Sequence, residues 1–381
     1  MKIMILGADG YMGWPTSIHL ALRKHKLCLI DNYTKRKLMG KYKRKVLIKS
    51  NKLDKKIKYL HEFNKFISFH NIDCTNSKDL GGVFKKFKPD AVIHYAELPS
   101  APYSMLGATE GWKTLNNNLK STFNLIDCVK NYNPDCHIIK LGTMGEYGTP
   151  NIDIEEGWIN IIHNKRSDNF LYPRQGGSLY HTSKIMDTDL LWFYVRNFNL
   201  RVTDLMQGPV YGIYVNKFAT EKKLETSFAY DDMFGTIINR FIVQGVSNIP
   251  LTIYGSGNQI RGYINLSDSI ECVNLAIENP PPAGRLNIYN QFTEQYSVKQ
   301  LANKIQSALA EMGIKCSSRK LQNPRIEKEK HYYNAKNSNL IKLGLNPKLL
   351  DNDIIIEMAE YVRKYKKNID KRIIMPKVSW K

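Results

Sequence analysis

Through its first two hundred residues the chain alternates short, almost unbroken apolar runs with longer stretches of mixed polarity. Ile3-Met4-Ile5-Leu6 is apolar at every position, which suits a strand covered on both faces rather than one. Strands are predicted at Lys2–Leu6, Leu27–Ile30, Phe66–Ile72, Ala91–His94, His137–Leu141 and Val202–Met206, and helices near Tyr11–Arg23, Ser77–Phe87, Leu115–Asn131 and Tyr180–Asn197. Such alternation predicts an α/β fold built on a doubly wound parallel sheet.

After Gln207-Gly208-Pro209 the rhythm becomes irregular. A helix is expected over Asp231–Gln244, a hairpin-like pair within Leu251–Ile264 and a helix over Asp268–Ile277; Pro280-Pro281-Pro282 then interrupts the chain before a strand at Leu286–Tyr289 and a helix from near Ser297. The expected organisation is a first domain over residues 1–207, to which part of 258–280 returns, and a smaller discontinuous α/β substrate domain made of 208–257 and 281–381.

Composition narrows the class. With 381 residues and 43% hydrophobic content the chain can bury a large core. No apolar run approaches the ~18 residues of a membrane span, and the first strand begins at the first residue, so a cytoplasmic protein without membrane insertion or leader is expected. Cys28, Cys74, Cys128, Cys136, Cys272 and Cys316 show no CxxC spacing and are expected to be reduced and packed, with no metal site. The formal charge is +21. Its densest part, residues 35–65, carries no nucleic-acid-binding motif and is expected to be a solvated basic insertion; attraction of anionic substrates and nucleic-acid binding are the two alternatives.

The chemistry starts at the first turn. Gly7-Ala8-Asp9-Gly10-Tyr11-Met12-Gly13 stands between a predicted strand and a predicted helix, where glycines let the backbone approach a pyrophosphate and the helix N-terminus offers free N–H donors. This is the cofactor turn of a Rossmann sheet. Asp31 closes the second strand, where a carboxylate can accept both ribose hydroxyls; that favours NAD over NADP, although Lys35 and Arg36 nearby weaken the preference. Asn32 and Arg36 beside Asp31, Asp73 after the third strand, Ala96, and Asn117 with Asn118 complete the expected cofactor contacts.

Tyr180-His181-Thr182-Ser183-Lys184 supplies a base. Residues four apart share a helix face, so the Lys184 ammonium can stabilise a Tyr180 phenolate. Bringing a phenol from about 10 to near neutrality requires roughly 4 kcal/mol of differential stabilisation. Tyr180 and Lys184 would also contact the cofactor. Thr143, at the end of a predicted buried strand, stands where open α/β sheets hold ligands and could bond both the phenol and a sugar hydroxyl. Glu146 and His181 are further acid–base candidates, beyond what simple alcohol oxidation needs.

Longer runs carry a family resemblance: Gly10-Tyr11-Met12-Gly13-Trp14, Ser100-Ala101-Pro102-Tyr103-Ser104-Met105, the stretch from Leu141 to Gly157, Asn290-Gln291-Phe292-Thr293-Glu294-Gln295, His331-Tyr332-Tyr333-Asn334-Ala335 and Val378-Ser379-Trp380. Over its whole length the chain resembles the UDP-sulfoquinovose synthase family, a branch of the extended short-chain dehydrogenases. The resemblance implies conversion of UDP-glucose and sulfite to UDP-sulfoquinovose on a tightly held NAD, with Thr143, Tyr180 and Lys184 at the catalytic positions. Gln207, Arg261 and Arg325 fall at positions expected near the diphosphate and uridine. It also implies a homodimer and leaves room for a sulfite-donating partner protein. Sugar-nucleotide dehydratases carry Asp-Glu directly after the equivalent Thr, whereas Met144-Gly145 stand here. Plant-type relatives carry Gln-Arg where this chain has Leu98-Pro99, so one cation that could hold sulfite is missing. A 4-epimerase or dehydratase working without sulfite is the alternative reading.

Overall fold

The computed structural model describes residues 1–213, 224–324, 332–375 and 377–379. Its strands are β1 (Lys2–Leu6), β2 (Lys26–Ile30), β3 (Ile67–His70), β4 (Ala91–His94), β5 (His137–Thr143), β6 (Trp158–His163), β7 (Arg166–Leu171), β8 (Arg201–Gln207), β9 (Val210–Tyr211), β10 (Leu251–Tyr254), β11 (Ile260–Asn265), β12 (Arg285–Gln291), β13 (Glu294–Ser297) and β14 (Ser318–Leu321). The helices are α1 (Gly13–Leu22), α2 (Thr34–Lys41), α3 (Leu53–Leu60), α4 (Ser77–Phe87), α5 (Ala101–Ser104), α6 (Ala108–Tyr132), α7 (Leu179–Phe198), α8 (Ile237–Val246), α9 (Leu266–Glu278), α10 (Val298–Glu311), α11 (Ser338–Lys342) and α12 (Asn352–Lys364).

Seven strands form one parallel sheet in the order β3-β2-β1-β4-β5-β8-β12. The period of two along β1 divides the core. Ile3 and Ile5 face one layer with Trp14 and Ile18 of α1 and Ile270 and Val273 of α9. Met4 and Leu6 face the other, with Phe84 of α4, Leu125 and Val129 of α6 and Val195 of α7. The order reverses at β1, between β2 and β4, and the carboxyl ends there open into the crevice where such sheets bind ligands. A separate core gathers α8, α10 and α12 around Phe241, Leu301, Ile305 and Met358. No described helix is long and apolar enough to cross a membrane.

The structure corrects several expectations. Residues 285–291, expected in the smaller domain, pair along their whole length with β8 and close the edge of the main sheet. The pair expected within Leu251–Ile264 is no hairpin: β10 pairs in parallel with β14 and β11 pairs with β13 and β9, because Gly255 and Gly257, both at positive φ, turn the chain into different sheets. The helix expected from Asp231 starts at Ile237, since the Asp231 carboxylate accepts from the Met233 and Phe234 amides at 2.9 Å each and holds a turn there. β6 and β7 pair antiparallel as a hairpin that the strand–helix alternation does not predict.

The basic stretch 35–65 is no solvated insertion. Leu47, Ile48, Leu53, Ile57 and Leu60 are buried, and Lys56 is 1% exposed. The Lys56 ammonium reaches the Asp9 carboxylate at 3.0 Å and lies 4.2 Å from the Trp14 ring centroid. A lysine-rich segment packs here because its stems cover apolar surface while one anion, 47 residues away, receives the charge.

Candidate active site

One cavity of about 1010 Å³ runs along the carboxyl ends of the sheet, lined by the glycine turn at one end and by Thr143, Tyr180 and Lys184 at the other. That is the upper end of the usual range for small-molecule pockets, roughly 300–1,000 Å³.

The turn fits a dinucleotide on geometry. Gly7 has φ +83°, and a Cβ there would lie 2.7 Å from the Tyr95 backbone. A Cβ on Gly13 would lie 2.1 Å from the Gly7 carbonyl oxygen, so only glycine lets α1 start this close to β1. Asp31 at the end of β2 accepts from the Asp9 amide at 2.8 Å and the Tyr33 amide at 2.7 Å; burial pushes its carboxyl up despite those bonds. Asn32 donates to Asp73 at 2.9 Å, so the two close one wall together. Gly10, Tyr11, Met12, Ala96 and Asn117 line the same cavity.

Arg36 lines the cavity too, but its guanidinium is engaged. It forms a two-pronged pair with Asp9, and it donates to the Ser50 carbonyl at 2.8 Å and the Asn51 carbonyl at 2.7 Å. Asn118 is not a cavity residue. It accepts from the Leu98 amide at 2.8 Å and donates to Ser183 at 2.9 Å, tying the loop after β4 to α7.

At the other end, Ser178 caps α7 by accepting from the His181 amide, and Ser104 of the Ser-Ala-Pro-Tyr-Ser run accepts from the Tyr180 amide at 3.1 Å. These two hydroxyls fix the first turn that carries Tyr180. Burial pushes the Tyr180 phenol up, the Glu97 and Glu146 carboxylates add to that, and Lys140 opposes it. Lys184 donates to the Leu141 carbonyl and pairs with Glu97.

Glu146 is fully buried and turned away from the cavity. It accepts from the Thr143 amide at 3.1 Å while the Thr143 hydroxyl accepts from Gly145 at 3.1 Å, a reciprocal cap that fixes the threonine. Beneath it lies a set of charges absent from the sequence-based candidates. Lys140 lies 3.3 Å from Glu146, 3.2 Å from Asp204 and 2.6 Å from the Thr188 hydroxyl. Burial works against the Lys140 charge, but Asp204 and Glu146 outweigh it and hold the ammonium above its ordinary range. A lysine and an aspartate inside apolar strands, Ile138-Ile139-Lys140-Leu141 and Val202-Thr203-Asp204-Leu205, are the signal that could have found them, since a buried charge must be paired.

His181 lies over Gly145: a Cβ on that glycine would be 2.4 Å from the imidazole Nε2. The ring stands outside the cavity lining, with Nδ1 3.1 Å from the Ser178 hydroxyl. Gln207 lines the cavity and bonds Ser269 and Gln291. Arg261 does not line it; its guanidinium donates to the Ile260 carbonyl at 2.7 Å. Arg325 lies outside the described residues.

Turn, carboxylate and Tyr–Lys helix define a nucleotide-binding oxidoreductase-type site, and residues 3–290 match the NAD dependent epimerase/dehydratase family, to which the chain belongs. It is 42% identical over 381 residues to the chloroplastic UDP-sulfoquinovose synthase of Spinacia oleracea, covering 100% of this chain and 79% of that one. It is 39% identical over 386 residues to the UDP-sulfoquinovose synthase of Sulfolobus acidocaldarius, covering 100% and 98%. Among solved structures, UDP-glucose 4-epimerase of Thermotoga maritima shares the fold with a TM-score of 0.70 at 18% identity, over 96% of this chain and 99% of that one.

Proposed function

We propose that the chain forms UDP-sulfoquinovose from UDP-glucose and sulfite, with NAD as resident cofactor. The observation that carries this reading is the single cavity joining the Gly7–Gly13 turn to Thr143, Tyr180 and Lys184, taken with full-length likeness to two synthases of that name. NAD rather than NADP is favoured by Asp31 and by the capture of Arg36 on Asp9, which removes the guanidinium from service to a 2′-phosphate. Bound there, the nicotinamide would take hydride from C4 of the sugar and give it back at the end of the cycle.

The residues divide the remaining work. Tyr180 takes the C4 hydroxyl proton and Thr143 orients that hydroxyl. The resulting ketone acidifies C5–H, so water can leave across C5–C6 and sulfite can add at C6. We keep His181, whose ring packs over Gly145 behind the cavity lining, as the candidate for the C5 proton, and we reassign Glu146 from proton transfer to the positioning of Thr143. Gln207 is the substrate contact we retain. The smaller, sugar-nucleotide side of the cavity is assigned to 208–257 and 281–381 apart from β12.

Incubation with UDP-glucose and isotopically labelled sulfite tests the reading: label should enter a sugar nucleotide. Accumulation of a 4-epimer or a 4-keto-6-deoxy sugar without label would establish the epimerase or dehydratase instead. His181→Ala should keep bound cofactor and C4 oxidation while losing labelled product by about a hundredfold, the lower end for a general base; equal losses in both steps would remove His181 from proton transfer.

A homodimer is proposed through α6 and α7, which carry exposed Trp112 (69%), Phe123 (47%) and Phe193 (47%) beside one another's helices. Phe123→Glu with Phe193→Glu should halve the mass read by light scattering, and an unchanged mass would place the contact elsewhere.

A further inference from the structure

The loop after β4 places a carboxylate where it is least expected, against the ammonium of the Tyr–Lys pair. Glu97 is 3% exposed at its side chain and lines the cavity, and one of its oxygens contacts the Lys184 ammonium. The other lies 3.7 Å from His94 Nε2, whose nitrogen is 3.0 Å from the Thr122 hydroxyl. Burial drives the His94 imidazole down to about 4, so it stays neutral and does not compete with Lys184 for the carboxylate.

We propose that Glu97 is a positioning residue that holds the Lys184 ammonium by ion pairing and thereby sets how readily Tyr180 gives up its proton. The inference rests on the reading of Tyr180 and Lys184 as the proton-transfer pair. The reason is electrostatic competition. A lysine lowers a neighbouring phenol by its positive charge, and a carboxylate in contact with that lysine cancels the field the phenol feels. The Leu141 carbonyl holds the same ammonium from the sheet side, so Lys184 is fixed between β5 and the β4 loop, and Glu97 sets the residual charge.

The surroundings are consistent with this division. The titratable and charged groups facing the pair are His94 from β4, Lys140 from β5, Glu146 from the turn that follows, Arg174 before α7, His181, whose ring centroid is 5.2 Å from that of Tyr180, and Asp187 from α7, and Asp204 from β8. Lys140, Glu146 and Asp204 satisfy one another at 3.2–3.3 Å, and Arg174 pairs with Asp189 at 3.0 Å. Burial and the Glu97 charge push the Asp187 carboxyl well above its ordinary range. Among the described residues, Glu97 is the cavity-lining carboxylate in contact with Lys184.

The test uses the holoenzyme and reads the pH dependence of C4 oxidation, followed as reduced-nicotinamide absorbance with UDP-glucose and no sulfite. Glu97→Gln keeps the shape and removes the charge. Its acid limb should move to lower pH by about one unit, an order-of-magnitude expectation for losing one contacting charge, while Glu97→Asp should keep the wild-type limb. Cofactor retention after gel filtration should be equal in all three proteins. An unmoved limb in Glu97→Gln, or a fall in rate with the same limb in both variants, overturns the inference. Should Tyr180→Phe still oxidise substrate, the underlying assignment fails instead, so the two failures are distinguishable.

Discussion

Replacing Tyr180 with Phe is expected to slow C4 oxidation of UDP-glucose about a thousandfold, within the range for loss of a positioned general base, without loss of folded protein. The substitution removes one hydroxyl that faces the cavity and leaves the elements that place the ring. The helix cap at Ser178 and the bond from the Tyr180 amide to Ser104 are made by backbone and hydroxyl groups that the variant keeps. Cofactor content should stay at the wild-type level, because Gly7, Gly13 and Asp31 lie at the other end of the cavity. The measurement is single-turnover formation of reduced nicotinamide with UDP-glucose, alongside thermal unfolding. A variant that reduces its cofactor at the normal rate would remove Tyr180 from the chemistry. One that unfolds early would show that the hydroxyl holds the fold.

How far the sequence could be read depends on how local each determinant is. The glycine turn, the strand–helix alternation and the Tyr–Lys spacing are local, and the structure places Gly7, Gly13, Asp31, Thr143, Tyr180 and Lys184 around one cavity. The features that could not be read depend on partners far along the chain. Lys56 looks like a solvated cation and Arg36 like a cofactor contact until Asp9 is brought to them. Arg285–Gln291 looks detached from the first half until it pairs with β8, more than eighty residues earlier in sequence. Glu146 looks catalytic beside Thr143, yet it faces inward because Lys140 and the Thr143 amide claim its carboxylate. In each case the residue type was informative, and its direction was set by a contact that no spacing encodes.

The second large effect concerns that inward cluster. Lys140→Met is expected to destabilise the protein by about 3–5 kcal/mol, the usual cost of removing one partner from a buried ion pair. Lys140 and the two carboxylates it serves, Glu146 and Asp204, are all 0% exposed. Methionine matches the stem of lysine in length, so the loss comes from charge rather than from a cavity. Burial already pushes the Glu146 carboxyl above its ordinary range and Lys140 opposes that rise, so without the ammonium it would rise further above its unfolded value of roughly 4. The folded variant then binds more protons than the unfolded chain between that value and the raised one, so its stability falls as pH rises through that window, over a wider range than in the wild type. Its deficit against the wild type should be greatest at neutral pH and shrink as pH approaches about 4. Denaturant melts at several pH values measure this. A deficit that stays constant with pH would show that Lys140 contributes through packing. No deficit would mean that the two acids do not depend on it. Because Glu146 holds the Thr143 amide, the same variant should lose C4 oxidation along with stability, linking the charge pair under the sheet to the hydroxyl that faces the substrate.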